Sequence, residues 1–222
     1  AGQVAPLMTA DWRDFDALAE FARRIDVATF DFENVPADTA HWLTEHTRVF
    51  PNPEALALAQ DRLAEKNLFR EIGLATPAFA AVDTREDLAR AIDAIGLPAV
   101  LKTRRLGYDG KGQAVLRTPH DADVAWALLG SSPLILEAFV PFTREVSVVA
   151  VRSQSGEFRP YPLTQNWHSG GILAASLAPA PHADALAERG VQAVDARHQG
   201  PGQVVQGLAR GGQAQAAAVA LQ

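Results

Sequence analysis

Strand-like and helix-like patterns alternate through the first half of the chain, and this alternation limits the possible folds more than any other feature. Apolar residues recur at helical spacing over residues 14–25, and residues 27–33 continue with the period of two that is typical of a strand. A helical pattern over 37–46, a short strand over 48–50 and a long helix over 53–72 follow. Because parallel strands need crossover connections, this order predicts an α/β unit with a parallel sheet.

A second unit begins near Pro77 and predicts a mixed α+β arrangement. Its strand patterns lie at 78–82, 98–103, 114–117 and 134–140. Helices are predicted from a capping-box-like start at Asp83 and Glu86 to Gly96, and over 122–129. The strand patterns at 145–152 and 158–163 flank a Ser-Gly pair, which predicts an antiparallel hairpin.

The last segment has a different composition. Of the 34 residues from Arg189 to Gln222, 21 are Ala, Gly or Gln. Small and polar side chains bury little apolar area, so we expect this tail to be poorly ordered. The same composition would also result from a reading-frame error in a GC-rich gene, so a natural tail and an altered reading frame are the two alternatives.

Composition excludes several classes of function. A formal net charge of −6 argues against binding to nucleic-acid phosphates. The absence of cysteine excludes a disulfide scaffold and a thiolate nucleophile or metal ligand. No apolar run approaches the ~20 residues that span a bilayer, and the first residues lack the layout of a secretory signal. We therefore expect a cytoplasmic protein that acts on small molecules, without a membrane or nucleic-acid partner.

The segment LKTRRLGYDGKGQ, at 101–113, is the strongest candidate for a binding site. Its lysine, Lys102, lies on a predicted strand that leads into a loop with three glycines. Glycines let backbone N–H groups approach an anion closely, and a lysine adds a positive charge. A plain hairpin is the alternative, because Asp-Gly between two strands is a turn signal. The loop matches neither the P-loop pattern nor the dinucleotide-binding pattern.

Four other side chains have the chemistry of a nucleotide site. Glu137 lies on an apolar strand, and Glu145 follows eight residues later, where a carboxylate could accept hydrogen bonds from ribose. Arg62 offers a guanidinium that suits a phosphate. His168 lies in a polar, turn-like segment. Each has an ordinary alternative: solvated acids at strand ends, a surface ion pair of Arg62 with Glu65, and an incidental loop histidine.

Taken in order, five motifs resemble one family, the 5-(carboxyamino)imidazole ribonucleotide synthases, which are ATP-grasp ligases. The motifs are FENVP at 32–36, QDR at 60–62, LKTRRLGYDGKGQ at 101–113, LEAFVPFTREVSV at 136–148 and NWHSGGIL at 166–173. The resemblance runs from the first residue to about residue 183. It implies an ATP-grasp fold of mixed α/β and α+β class, with a partial N-terminal βα domain at 1–56 and a connecting helix at 57–76. A lid subdomain at 77–141, a partial antiparallel central subdomain at 142–188 and the atypical tail at 189–222 would complete the chain.

The resemblance also implies the reaction and the roles of residues. Such ligases use ATP and bicarbonate to carboxylate aminoimidazole ribonucleotide through carboxyphosphate, and they are commonly homodimers. Arg62 and Lys102 would contact ATP phosphates, and the glycine loop would cover them; it comprises Gly107, Tyr108, Asp109, Gly110, Lys111, Gly112 and Gln113. Tyr108 and Asp109 would also be catalytic contacts to the second substrate. Adenine would be flanked by Glu137, Ala138, Phe139 and Val140. Glu145 would hold the ribose, and His168 would lie at the nucleotide site.

Two departures from the family pattern affect the expected activity. The chain begins after the family's first strand and glycine-rich turn. Nothing after Leu173 matches the late acidic residues that hold Mg²⁺ in such enzymes, so no metal ligand is predicted and we expect ATP binding without turnover. The alternatives are another ATP-grasp carboxylate-amine ligase, against which FENVP and GYDGKGQ weigh, and a non-catalytic nucleotide-binding remnant.

Overall fold

A computed structural model describes residues 5–107, 111–153, 155–170 and 172–182 together with two later strands, Gln203–Gly211 and Gln215–Ala220. The N-terminal unit contains helices α1 (Phe15–Ala22) and α2 (Ala37–Thr44) and strands β1 (Val27–Ala28) and β2 (Arg48–Val49). The two strands pair in parallel, as the alternating pattern predicted. Among the described residues, no helix combines the length and apolarity needed to cross a bilayer.

The predicted strand over 27–33 is wrong beyond Ala28, where β1 ends. The backbone of the FENVP segment is held by a side chain instead of a neighbouring strand. Gln60 donates from its amide nitrogen to the carbonyls of Glu33 and Val35, at 2.8 and 2.6 Å. These contacts satisfy carbonyl groups that a sheet would otherwise pair.

The single helix predicted over 53–72 is also wrong, because it is two helices, α3 (Pro53–Ala59) and α4 (Arg62–Glu71). Asp61 separates them and caps the second, since its carboxylate accepts from the backbone of Leu63 and Ala64. Gly73, with φ of 78°, follows the end of α4, as the sequence predicted.

The next unit is a four-stranded antiparallel sheet with helices on one face, here called the lid sheet. Its strands are β3 (Phe79–Val82), β4 (Ala99–Thr103), β5 (Gln113–Leu116) and β6 (Leu134–Ala138), in the order β3-β6-β4-β5. Helices α5 (Arg85–Ile95) and α6 (Pro119–Leu129) cover it. The capping box of α5 pairs Thr84 with Asp87, so the prediction of Asp83 with Glu86 is wrong by one residue.

The remaining strands form a six-stranded sheet around a long central strand. They are β7 (Arg144–Arg152), β8 (Phe158–Pro160), β9 (Thr164–Ser169), β10 (Ile172–Leu177), β11 (Gln203–Gly211) and β12 (Gln215–Ala220). The antiparallel pairing of β7 with β8 confirms the predicted hairpin. Strand β7 also pairs with β9 and β11.

The expectation of a poorly ordered tail is wrong for β11 and β12. Strand β11 pairs with β7 along its whole length, from Gln203 opposite Arg152 to Gly211 opposite Arg144. Pairing of strands uses backbone N–H and C=O groups, which every residue except proline supplies. The low apolar content of the tail therefore did not exclude a strand beside β7. The rest of the predicted tail lies outside the described residues.

Candidate functional site

The lid sheet has one apolar face and one charged face. Leu101, Leu134 and Leu136 point into the core beneath α5 and α6. Side chains alternate across a strand, so Lys102 on β4 and Glu137 on β6 point to the opposite face. That face is where α4 approaches the sheet, and it presents the predicted phosphate-binding lysine.

Three charged side chains meet on this face, here called the lysine–glutamate cluster: Lys66, Lys102 and Glu137. The Nζ atom of Lys102 lies 3.0 Å from Oε2 of Glu137, and Nζ of Lys66 lies 3.4 Å from the same oxygen. Glu137 is only 6% exposed, so the alternative of a solvated acid at a strand end is wrong. Two cations against one carboxylate leave the cluster with a formal charge of +1.

The protonation of Glu137 depends on its two lysines. Burial raises the pKa of this carboxyl group, and the charges of Lys102 and Lys66, with their hydrogen bonds, outweigh that effect and lower the pKa below its ordinary value. Glu137 is therefore ionised at neutral pH, and the cluster keeps two positive charges and one negative charge.

Arg62 connects α4 to the glycine loop. Its guanidinium donates to the carbonyl of Thr103, the last residue of β4, at 2.9 Å, and to the carbonyl of Gly107, the first residue of the glycine loop, at 3.3 Å. Its backbone N–H donates to the carbonyl of Arg104 at 3.0 Å. Arg62 is half-buried against the loop and is not an ordinary surface side chain.

Two glycines of the loop pack closely against neighbouring side chains. A Cβ atom on Gly107 would lie 3.0 Å from one guanidinium nitrogen of Arg62. Gly112 has φ of 70°, and a Cβ atom there would lie 2.7 Å from Oγ1 of Thr103. Lys111, within the loop, is exposed. Gln113 is the first residue of β5 and lies opposite Lys102. The predicted residues Tyr108, Asp109 and Gly110 lie outside the described residues.

A second acidic position lies on the six-stranded sheet. Glu145 is on β7 and is 5% exposed, so it too is not a solvated strand end. Its Oε1 lies 3.4 Å from Nδ1 of His168 on β9. The turn-like environment predicted for His168 is wrong, because the residue lies within a strand. The structure thus pairs the predicted ribose-binding acid with the predicted histidine.

The predicted adenine-flanking segment spans the end of β6 and the connection to β7. Ala138 is the last residue of β6, so the predicted extension of this strand to Val140 is wrong. Phe139 donates its backbone N–H to the carbonyl of Pro98 at 3.2 Å and is 39% exposed. The exposed ring offers an apolar surface to a planar ligand.

A cleft of about 150 Å³ lies between the N-terminal unit, the helix break and the glycine loop. It is lined by Glu33, Asn34, Ala59, Gln60, Arg62, Glu65, Leu106 and Gly107. Gln60 contacts both sides of this region. Its amide nitrogen donates to the FENVP backbone, and its side-chain oxygen accepts a hydrogen bond from Arg105. The cleft brings the FENVP and QDR motifs to one place beside the glycine loop.

Sequence reasoning missed Lys66 and the structural role of Gln60. Lys66 follows Arg62 by four residues, and residues at this spacing lie on the same face of a helix. That spacing was a usable signal. Gln60 gave no comparable signal, because its contacts lie 25 or more residues away along the chain.

Two family models together match most of the chain. The model of the ATP-grasp domain matches residues 67–198, and that of the ribonucleotide synthetase preATP-grasp domain matches residues 1–60. The interval between the two matches begins at Asp61, in the break between α3 and α4, and ends within α4.

Individual proteins agree with these matches. N5-carboxyaminoimidazole ribonucleotide synthase of Pseudomonas aeruginosa is 52% identical over 198 residues, which is 89% of this chain and 55% of that protein. The crystal structure of the synthetase from Thermus thermophilus superposes with a TM-score of 0.91 at 42% identity, covering 99% of this chain and 61% of that one. The Staphylococcus aureus synthetase complexed with ADP gives a TM-score of 0.87 at 29% identity, covering 96% and 58%. The chain thus spans little more than half the length of these proteins.

Proposed function

The chain belongs to the ATP-grasp family, and we propose that it forms the nucleotide-binding part of an N5-carboxyaminoimidazole ribonucleotide synthase. The observation that supports this most directly is that Arg62 binds the carbonyls of Thr103 and Gly107, in the segment that leads from Lys102 into the glycine loop. These groups supply positive charge and close backbone approach, which a triphosphate requires.

The proposed reaction has two steps. Bicarbonate attacks the γ-phosphorus of ATP, giving carboxyphosphate and ADP. The exocyclic amine of 5-aminoimidazole ribonucleotide then attacks the carboxyl carbon, a proton leaves the nitrogen, and inorganic phosphate departs. No protein nucleophile is needed, so the residues act by positioning the substrates and stabilising the developing charge.

The charged residues divide between the ends of the nucleotide. Lys102 and Arg62 bind phosphate oxygens, and residues 107–113 close over them. The guanidinium of Arg62 is held by hydrogen bonds to the carbonyls of Thr103 and Gly107, at 2.9 and 3.3 Å. A positive charge is therefore already positioned before a phosphate binds. Within the loop, we assign Tyr108 and Asp109 to the second substrate or the intermediate.

The purine and ribose lie toward the connection between the two sheets. The segment from Glu137 to Val140 flanks adenine, with the exposed ring of Phe139 as an apolar wall. Glu145 accepts hydrogen bonds from the ribose hydroxyls, and His168, 3.4 Å from that carboxylate, fixes its position.

The cleft beside FENVP is proposed as the entry for the ribonucleotide, because it adjoins the glycine loop and Arg62. Mg²⁺ accompanies ATP in the proposed reaction. The described residues contain no group of three His, Asp or Glu side chains suited to a metal, so we assign it no ligand here and no step depends on it. A cytoplasmic homodimer is proposed on the family resemblance.

Product release tests this function. The chain is incubated with Mg²⁺-ATP, bicarbonate and 5-aminoimidazole ribonucleotide, and ADP is measured with each component omitted in turn. ADP release that requires all three supports the proposal, and release with another amine and not with this ribonucleotide would replace it. Calorimetry on the same sample measures ATP binding. Binding without turnover is the outcome that the sequence predicts for this chain, because the late acidic residues are unmatched, and it would favour the non-catalytic alternative.

A further inference from the structure

We infer that Lys66 is a positioning residue of the nucleotide site: it shares the Glu137 carboxylate with Lys102, and so leaves the Lys102 ammonium available to a phosphate. This inference rests on the proposed function, because it assigns Lys102 to the nucleotide. Lys66 itself is less exposed than Lys102 and is not assigned a contact with ATP.

The geometry carries the inference. Both ammonium groups form ion pairs with one oxygen, Oε2 of Glu137. The distance is 3.0 Å from Nζ of Lys102 and 3.4 Å from Nζ of Lys66. The side chain of Lys66 is less exposed than that of Lys102, at 9% against 17%. The lysine that solvent reaches more easily is therefore the one on β4.

Charge explains why a second lysine matters. One lysine paired with one buried carboxylate forms a neutral unit, and moving that lysine toward a phosphate would leave the carboxylate unpaired, which is strongly unfavourable. With Lys66 in place, Glu137 keeps a partner when Lys102 turns to a ligand. The cluster also keeps a net positive charge, which attracts a triphosphate.

Burial of Lys66 is itself costly, which makes a purely packing role a poor explanation. A buried ammonium loses its hydration and must be compensated by partners. The partners of Lys66 are the shared carboxylate and the ring of Phe79, whose centroid lies 6.0 Å from Nζ. Phe79 is directly opposite Glu137 in the sheet, so the three side chains form one contiguous group.

The test compares Lys66→Met with Arg70→Met. Both changes remove one positive charge from α4, and Arg70 is exposed, with its guanidinium carbon 5.1 Å from the same Phe79 ring. Calorimetric titration with Mg²⁺-ATP should show affinity about tenfold weaker for Lys66→Met and within about twofold of the parent for Arg70→Met. Equal affinity of Lys66→Met and parent would overturn the inference.

A second variant separates positioning from folding. In a Glu137→Gln background no carboxylate competes for Lys102, so adding Lys66→Met should change ATP affinity by less than about threefold relative to Glu137→Gln alone. A loss of about tenfold on adding Lys66→Met in that background as well would mean that Lys66 acts by packing alone and would refute the inference.

A measurement without nucleotide distinguishes failure of this inference from failure of the proposed function. Carbon-13 NMR of the Glu137 carboxyl group gives its titration directly. Its pKa should rise in Lys66→Met and stay unchanged in Arg70→Met. A parent chain that does not bind ATP refutes the proposed function, whereas an unchanged Glu137 titration in Lys66→Met refutes the shared carboxylate.

Discussion

Replacement of Gly112 by alanine tests how closely the glycine loop packs on β4. Gly112 has φ of 70°, and an added Cβ atom would lie 2.7 Å from Oγ1 and 3.4 Å from Cγ2 of Thr103. The backbone cannot easily move away, because the N–H of Thr103 donates to the carbonyl of Gly112 at 2.8 Å. The substitution therefore combines backbone strain with a steric overlap.

The two contributions can be estimated separately. A left-handed backbone conformation costs a non-glycine residue about 1–2 kcal/mol, and forcing an extra methyl group into a packed site costs about 1–3 kcal/mol. Gly112→Ala should therefore lower the free energy of unfolding by roughly 2–5 kcal/mol. Gly73 is a matched control, with φ of 78° and no atom within 4 Å of an added Cβ, so Gly73→Ala should show the backbone term alone.

Urea unfolding followed by circular dichroism measures both variants. A third variant, Gly112→Ala with Thr103→Ala, removes the overlapping atoms, and the next nearest atom is then the Gly107 Cα at 3.6 Å. Thr103 Oγ1 is buried and has no hydrogen-bond partner among the described residues, so its loss should cost little. The double variant should recover to the level of Gly73→Ala. Equal destabilisation by Gly112→Ala and Gly73→Ala would refute the close packing of the loop.

Three further outcomes are expected. Thr84→Ala removes the hydroxyl that accepts from the Asp87 N–H at 3.1 Å, and thermal unfolding should show a loss of ~1 kcal/mol; an unchanged melting temperature would contradict this capping box. Because the pKa of Glu137 lies below its ordinary 4.5, its ion pairs stabilise the fold fully above pH 4.5 and lose this effect as pH falls through the lowered pKa. Glu137→Gln should therefore flatten the acid limb of a stability–pH curve, and an unaltered limb would argue against ionised Glu137. Lys102→Ala should weaken ATP binding by ~1–3 kcal/mol in calorimetry, and equal affinity would contradict its role. The sequence alone predicted little change in melting temperature for Lys102→Ala, but the ion pair with buried Glu137 leads us to expect a loss of stability.

Alternation of apolar and polar residues, together with turn residues, predicted the strands and turns that depend only on neighbouring residues in the sequence. The strand carrying Lys102 and the hairpin around Gly156 were both predicted from alternation and turn residues, and both are present. The proximity of Glu145 to His168 was only implied, by family resemblance. Nothing local to either residue indicates that β9 returns beside β7.

Long-range contacts explain the parts that the sequence did not predict. The FENVP segment has the alternation of a strand, yet Gln60 donates hydrogen bonds to two of its carbonyls. Within the part of the chain that the structure describes, the segment has no neighbouring strand beyond Ala28. In the tail, composition indicated disorder, whereas β11 is specified by the edge that β7 offers. In both cases a partner distant in sequence decides the structure, and periodicity contains no information about that partner.

The break between α3 and α4 shows how such contacts join separate motifs into one site. In an unbroken helix, the N–H of Arg62 would donate to the carbonyl four residues earlier, at Leu58. Because Asp61 starts a new helix, that N–H has no intrahelical acceptor and donates to Arg104 after β4. The bond ties the start of α4 to the lid sheet, so the Arg62 guanidinium reaches the glycine loop, and Lys66, one turn later on the same face, reaches Glu137. A continuous helix would lose the bond to Arg104 that docks α4 on the lid sheet, and with it the shared position of the two cations.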